Sequence, residues 1–284
     1  MKIYWYGDWH HTGYGRASRQ FVRHLAVDKQ HDVAVFAVNW YGHPYDRLRY
    51  PVEAWPVSNP YSDNDWLGRE HMAKVVRADK PDVLIVLNDA FHFMGGLGVD
   101  LHEACLAAGT RLILSFPVDC YQVPASWLQF PKLADDAVVW NETARETIAR
   151  TDPALAKRLR VVPLGIEPEW FQPTSSGIAS NIRSQLIKGP KKYLVVCVNR
   201  NCARKDWART LCVAAEVIRQ RPEVAFYFHT QTIGAAYGQI MEPIHEMAET
   251  LGLTVGLDYD TLDSAPHNWH EVAMRGLYAA ADVY

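Results

Sequence analysis

The sequence predicts an α/β protein made of two Rossmann-like domains, each a doubly wound parallel sheet, the second of them incomplete. Three observations carry the prediction. Short apolar runs alternate with helical patterns from residue 2 to about residue 164. The alternation breaks at "GIEPEWFQPTSSG" (165–177), where two prolines, two glycines and two serines replace any helical period. It then restarts near residue 178. Apolar strands alternating with helices imply a parallel sheet covered on both faces, and a Pro/Gly/Ser-rich break between two such runs implies a linker.

The first unit begins with a strand, "KIYWY" (2–6). "GRASRQFVRHLA" (15–26) is a helix with Ala17, Phe21, Val22 and Leu25 on one face and Arg16, Arg19 and Arg23 on another. "DVAVFAV" (32–38) is the next strand. Residues 65–79 read as a helix capped by Asp65, followed by the strand "DVLIVL" (82–87) and a helix over 100–109 that ends at Gly109. "RLILSF" (111–116) and "DAVVW" (136–140) are strands. The helix 141–150 takes Asn141 as its cap, with Thr143 and Glu146 in capping-box spacing, and "RVVPL" (160–164) closes the set. Beyond the break come a helix over 178–187, the strand "KYLVVCV" (192–198), a helix over 206–220, the strand "VAFYFHT" (224–230), a helix over 241–252 and the apolar run "LTVGL" (253–257).

The expected organisation is therefore a first domain over 1–165, a linker with its following helix over 166–188, and a partial second domain over 189–284. That second unit would hold about 95 residues, short of the ~150 typical of such a partner. The closing "LYAAADVY" reads as a helix end followed by a strand just begun. The chain is thus expected to stop mid-pattern.

Composition excludes several classes. At 49% apolar and 21% charged, with a formal net charge of −3, the chain looks like an ordinary globular protein and lacks the basic face that duplex nucleic acid requires. The start, "MKIYWYGDWHH", has no signal-peptide apolar run, and no segment approaches the ~20 apolar residues of a membrane span. The cysteines at 105, 120, 197, 202 and 212 form no CxxC pair, which suits a reducing, cytoplasmic setting. Aromatic residues crowd the segment 40–66 (Trp40, Tyr41, Tyr45, Tyr50, Trp55, Tyr61, Trp66) among four prolines. That segment cannot be one helix. It is either a packed lid or a display of ring faces for a sugar or base.

Two loops can carry chemistry. Gly13-Tyr14-Gly15 lies between the first strand and the first helix, where free N–H groups and the positive end of the dipole favour an anion. As a dinucleotide fingerprint it fails, because Ser18 stands where the third glycine belongs and the second strand ends in Asn39 rather than an acid. The second loop is in "VVCVNRNCARKDW" (195–207), which gathers Arg200, Arg204 and Lys205 past an apolar strand. Arg200 and Lys205 can converge on one ligand across a strand–loop–helix turn, the guanidinium as a fork and the ammonium as a point charge, with Asp206 capping the next helix.

Taken together, Gly13 and Gly15, the stretch "RVVPLGIEPEWFQP" (160–173) and the Arg-to-Lys spacing in "NRNCARKDW" resemble the retaining, nucleotide-sugar-dependent glycosyltransferases of the GT-B fold, in the group 4/group 1 class. The family stretch reads V-x-P-x-G-[VI]-D-x-x-x-F-x-P, and here Glu167 replaces the Asp. The resemblance implies transfer of a hexosyl unit from an NDP-sugar to a sugar, polysaccharide or lipid-linked acceptor, with retention and without a metal or other cofactor. Arg200 and Lys205 would hold the donor diphosphate and stabilise it as a leaving group. Gly13 and Gly15 would face the donor's phosphate and sugar, and the first domain would take the acceptor. Asp119, in "SFPVDCY", stands where many members have a catalytic histidine, and His10, His11 and His92 lie near the same strand ends. The family's paired glutamates would fall beyond Tyr284, so this chain by itself is expected to bind donor poorly.

Other readings remain. A GT-B-like nucleotide-sugar epimerase and a non-catalytic sugar- or nucleotide-binding module share most of these features. The D-x-D spacings at 63–65 and 258–260 would suit a metal-dependent transferase, but only a pair of ligands is visible at each. Arg16, Arg19 and Arg23 form a face that would suit anionic lipid, though a solvated face is the commoner meaning.

Overall fold

The structure, a computed structural model, describes residues 1–10, 12–42, 44–58, 65–168, 177–230, 235–236, 239–240, 243–261 and 271–284. It divides into two units, Met1–Ile166 and Glu167–Tyr284. Each is α/β around a parallel sheet, as the alternation of apolar runs and helices predicts.

The first unit holds β1 (Lys2–Asp8), α1 (Gly13–Arg23), β2 (Asp32–Val38), β3 (Glu53–Pro56), α2 (Arg69–Asp79), β4 (Val83–Leu87), α3 (Gly96–Ala108), β5 (Arg111–Ser115), α4 (Gln129–Leu133), β6 (Asp136–Val139), α5 (Glu142–Thr151), α6 (Pro153–Arg158) and β7 (Arg160–Val161). Its seven strands run in the order β3-β2-β1-β4-β5-β6-β7, every neighbour parallel. Alternation along β1 shows why both faces are buried: Tyr4 and Tyr6 enter one apolar core, Ile3 and Trp5 the other. On the second face Trp5 stacks on Phe21 of α1 at 5.8 Å. The strand order reverses between β1 and β4, which is where doubly wound sheets open a crevice at the strand carboxyl ends.

Several expectations shift. The first helix begins at Gly13 and passes into a π-helical turn over His24–Asp28. Gly13 and Gly15 therefore sit inside its first turn, not in a loop before it. Arg19 does not belong to a solvated face: it is 7% exposed and donates to the Trp9 carbonyl at 3.1 Å. The helix expected from residue 65 starts at Arg69. Asp65 still caps it, because its two carboxylate oxygens accept from the backbone N–H groups of Arg69 and Glu70 at 2.8 Å each. At α5 the cap is Asn141, which accepts from the Ala144 N–H at 2.7 Å, while Thr143 lies within the helix. The aromatic segment yields β3, an edge strand ending in Pro56. Proline is tolerated there because an edge residue has an N–H that no neighbour needs. Tyr61 and Asp63 lie outside the described residues, as does His11.

The second unit comprises α7 (Gly177–Leu186), β8 (Tyr193–Val198), α8 (Trp207–Gln220), β9 (Val224–His229), a short antiparallel pair β10 (Ala235–Ala236) and β11 (Gln239–Ile240), α9 (Ile244–Thr250), β12 (Tyr259–Thr261) and α10 (Glu271–Ala280). The parallel sheet runs β12-β9-β8, and Val283 bridges to Val195 in parallel. β8 again serves two cores: Leu194 and Val196 pack with α7 and α10, Val195 and Cys197 with α8 and α9. The helix expected over 241–252 is confined to Ile244–Thr250, after Pro243. The run 253–257 is irregular, with an isolated bridge from Val255 to Tyr259 and the start of a turn, and the strand falls at Tyr259–Thr261 instead. Most of the stretch 165–177, residues 169–176, lies outside the described residues.

Candidate functional site

In the first unit the candidate site is the carboxyl-end mouth of the sheet at the β1/β4 reversal. β1 ends in Asp8, a 7% exposed carboxylate whose Oδ1 accepts from the His10 N–H at 2.7 Å and whose Oδ2 accepts from Asn39 Nδ2 at 3.2 Å. Thr12 caps α1, its hydroxyl accepting from the Gly15 N–H at 2.9 Å. A Cβ on Gly15 would lie 1.9 Å from the His10 carbonyl oxygen, so glycine is required for the helix to start this close to β1. Nothing lies within 4 Å of a Cβ on Gly13. The two glycines singled out by the sequence are thus physically unlike, and the Gly15 N–H is already taken by the cap.

Tyr14 crosses the reversal. Its hydroxyl donates to Asp89 Oδ1 at 2.7 Å, tying α1 to the loop after β4. Its ring meets Trp140 edge-on at 5.7 Å, and Trp140 Nε1 donates to Ser115 Oγ at 3.0 Å. The first helix is thereby tied to residues at the ends of β4, β5 and β6. None of this network is visible in sequence spacing, since Tyr14 and Asp89 stand 75 residues apart.

Next to it, Asp89, Phe91, Phe116, Asp119 and Trp127 line a narrow crevice of about 10 Å³, room for about one water. Asp119 is exposed at its rim. His92 Nε2 is 3.9 Å from Asp89 Oδ2. Burial, and then the nearby Arg69 charge, push the His92 pKa down to about 4, so the imidazole is neutral at neutral pH. Arg69 itself is paired with Asp65 at 2.9 Å and donates to the His92 carbonyl. His92, a spare histidine by sequence, is therefore a half-buried neutral ring that belongs to the mouth. His10 contributes its backbone N–H to Asp8.

In the second unit, Arg200 leaves the end of β8 on an anchored backbone. Its carbonyl accepts from Trp207 Nε1 at 3.1 Å, and Trp207, the first residue of α8, is 2% exposed and edge-on to Phe228. Asn199 donates its N–H to the His229 carbonyl at 3.3 Å. Ala203–Lys205 form one 3₁₀ turn. Asp206, at φ 49°, caps α8 through the Arg209 N–H and pairs with the Arg209 guanidinium at 3.1 Å. Short polar residues such as Asp tolerate that left-handed conformation best. The nearest acid in sequence is therefore used locally. Among the described residues, none of Arg200, Arg204 and Lys205 has a carboxylate partner, as is also so of solvated cations such as Lys74 and Lys157; what sets these three apart is their gathering within six residues at the end of β8.

The acidic pair at 258 and 260 is divided between other duties. Asp258 Oδ1 pairs with the buried Lys191 ammonium at 2.8 Å and its Oδ2 accepts from the Thr254 N–H at 3.1 Å. Asp260 Oδ1 accepts from the Thr261 N–H at 2.9 Å.

A seven-stranded parallel sheet with one order reversal, followed by a second parallel unit, is the architecture of the GT-B fold, and this chain has that fold. Neither family models nor curated proteins match the chain. Among solved structures it is similar to HepE of Anabaena, determined in complex with UDP and glucose: 17% identity, 99% of this chain and 73% of that one, TM-score 0.66. It is similar to a glycosyltransferase of Rickettsia africae at 12% identity, over 99% and 71% of the two chains, TM-score 0.65. It is also similar to the UDP-GlcNAc 2-epimerase of Methanocaldococcus jannaschii at 10% identity, over 99% and 76%, TM-score 0.55. No described helix is long and apolar enough to cross a membrane.

Proposed function

We propose that the chain belongs to a retaining glycosyltransferase of the group 4/group 1 class, which moves a hexosyl unit from an NDP-sugar to an acceptor. The observation that carries the reading is the set of cations at the end of β8 with no carboxylate partner among the described residues. Three cations gathered at the carboxyl end of a parallel strand lie where open α/β sheets bind ligands, and their charge suits an anion. In this reading the Arg200 guanidinium forks onto two oxygens of the donor diphosphate, and Lys205 neutralises its remaining charge. As the bond from the anomeric carbon to the diphosphate lengthens, negative charge grows on the diphosphate, and both cations hold it more strongly than in the ground state. The clamp of Trp207 on the Arg200 carbonyl fixes the backbone beforehand, which cuts the ordering cost on binding. Protein cations fill the role that a metal fills elsewhere; Asp258, already held by Lys191, is poorly suited to bind one. Gly13, at the exposed first turn of α1, offers backbone to the donor's sugar or phosphate, while Gly15 acts by letting that turn approach His10. Asp119 hydrogen-bonds an acceptor or sugar hydroxyl. The protein works in the cytoplasm, where nucleotide sugars are available.

Titration calorimetry with UDP tests the donor site. Arg200→Ala and Lys205→Ala should each weaken binding about tenfold, the worth of one charge-assisted contact. Unchanged affinity in both variants removes the site. A second reading, nucleotide-sugar epimerisation, is favoured by the likeness to an epimerase. It predicts that a UDP-sugar is isomerised with no acceptor present. A third, sugar or nucleotide binding without catalysis, predicts neither transfer nor isomerisation.

A further inference from the structure

We propose that the crevice at the carboxyl ends of β4 and β5 is an acceptor subsite for an uncharged oligosaccharide, read by ring faces and carboxylate oxygens, which discriminates against phosphorylated and uronate sugars. This rests on the transferase reading and names its acceptor class. Four aromatic rings form a continuous line along the mouth. Trp66 meets His92 at 5.7 Å, His92 meets Phe91 at 4.3 Å, and Phe91 meets Trp127 at 5.0 Å. Trp66 is 39% exposed, and Phe91 and Trp127 line the crevice, so the row reaches solvent at one end and the crevice at the other. Flat rings offer large contact area to the C–H faces of pyranoses at low entropic cost.

The polar groups in the crevice fit hydroxyls and not anions. Asp89 and Asp119 line it, and an ionised carboxylate only accepts, which suits the O–H donors of a sugar. No lysine or arginine is among the residues that line it. The nearby Arg69 already serves Asp65 and the His92 carbonyl. His92 adds no positive charge at neutral pH, because burial keeps it neutral. A phosphate or uronate would thus meet like charge with no compensating cation, which is how interfaces reject a wrong partner.

Size sets the form of the ligand. A space of about 10 Å³ cannot enclose a monosaccharide, because ligand pockets commonly measure ~300 Å³ or more. A sugar can lie along the aromatic row with one hydroxyl donating to the exposed Asp119 carboxylate at the rim. Affinity then has to come from several residues in sequence, hence an oligosaccharide chain and not a single sugar.

The test uses the whole chain and titration calorimetry with neutral trisaccharides of gluco, galacto, manno and N-acetylglucosamine type, beside their 6-phosphorylated and uronate counterparts. At least one neutral trisaccharide should bind, with its charged counterparts about tenfold weaker or more. Trp127→Ala should weaken that binding about tenfold. Asp119→Lys, at an exposed position where folding is not at stake, should narrow or invert the preference for the neutral form. The proposal is overturned if no neutral trisaccharide binds at millimolar concentration, if charged forms bind as well as neutral ones, or if Asp119→Lys leaves the ratio unchanged. UDP titration of the same samples separates the two readings. UDP binding without saccharide binding removes only this subsite, whereas UDP binding unchanged in both Arg200→Ala and Lys205→Ala, beside intact saccharide binding, removes the donor site and leaves a saccharide-binding crevice without an acceptor role.

Discussion

At the scale of single residues, Gly13 and Gly15 show how two identical letters differ. A methyl on Gly15 would press into the His10 carbonyl at 1.9 Å, whereas one on Gly13 meets open space. Gly15→Ala should lower stability by ~1–3 kcal/mol, the usual range for overpacking. Gly13→Ala should be neutral or raise stability by ~0.5 kcal/mol, since alanine restricts the unfolded chain more than glycine. Equal urea midpoints for the two variants would refute this account. The sequence exposed Arg200, Lys205 and Asp119 as loop residues because each follows an apolar run whose carboxyl end is easy to find. It could not expose the Tyr14–Asp89 bond or the neutral state of His92, which arise from burial and from pairings across the reversal of strand order.

At the scale of elements, Lys191 just before β8 is joined to Asp258 just before β12, with β9 between the two strands. The lysine side chain is 4% exposed, and that carboxylate offsets the cost of burying it. Asp258→Ala should destabilise the second unit by ~3 kcal/mol, because it leaves a buried charge without its partner. Lys191→Met combined with Asp258→Ala should recover part of the loss. Additive losses in the double-mutant cycle would show that the pair is not coupled. The strands β1, β2, β4, β5, β8 and β9 were legible within a residue or two, because residues of both their faces, or of one face in β5, pack into apolar cores. β3 was not legible: it has four residues at an edge, and its Trp55 and Pro56 look like loop composition. β12 was displaced from the run 253–257 because Gly256, at φ 78°, starts a turn there that ends the apolar run before a ladder can form.

At the scale of the whole molecule, each unit carries a half-buried histidine shifted the same way. Burial lowers the pKa of His92, to about 4, and that of His229. A histidine whose folded pKa lies below its unfolded value, about 6.5, stabilises fully above that value. That stability is lost as pH falls from about 6.5 towards 4, because the unfolded chain takes up the proton first. The urea midpoint of the protein should therefore drop across this window, and His92→Gln should flatten the part due to the first unit. A midpoint flat from pH 7 to 5 would contradict the burial of both rings. The two units also hold separate apolar cores, so their transitions need not coincide.

The seven-stranded sheet ends on one rim in the four residues of β3, closed by Pro56, and on the other in the two residues of β7, with Pro163 shortly after. A neighbouring molecule seeking to extend the ladder finds only a stub on either side. Even at high concentration, self-association through those margins has little backbone to seize.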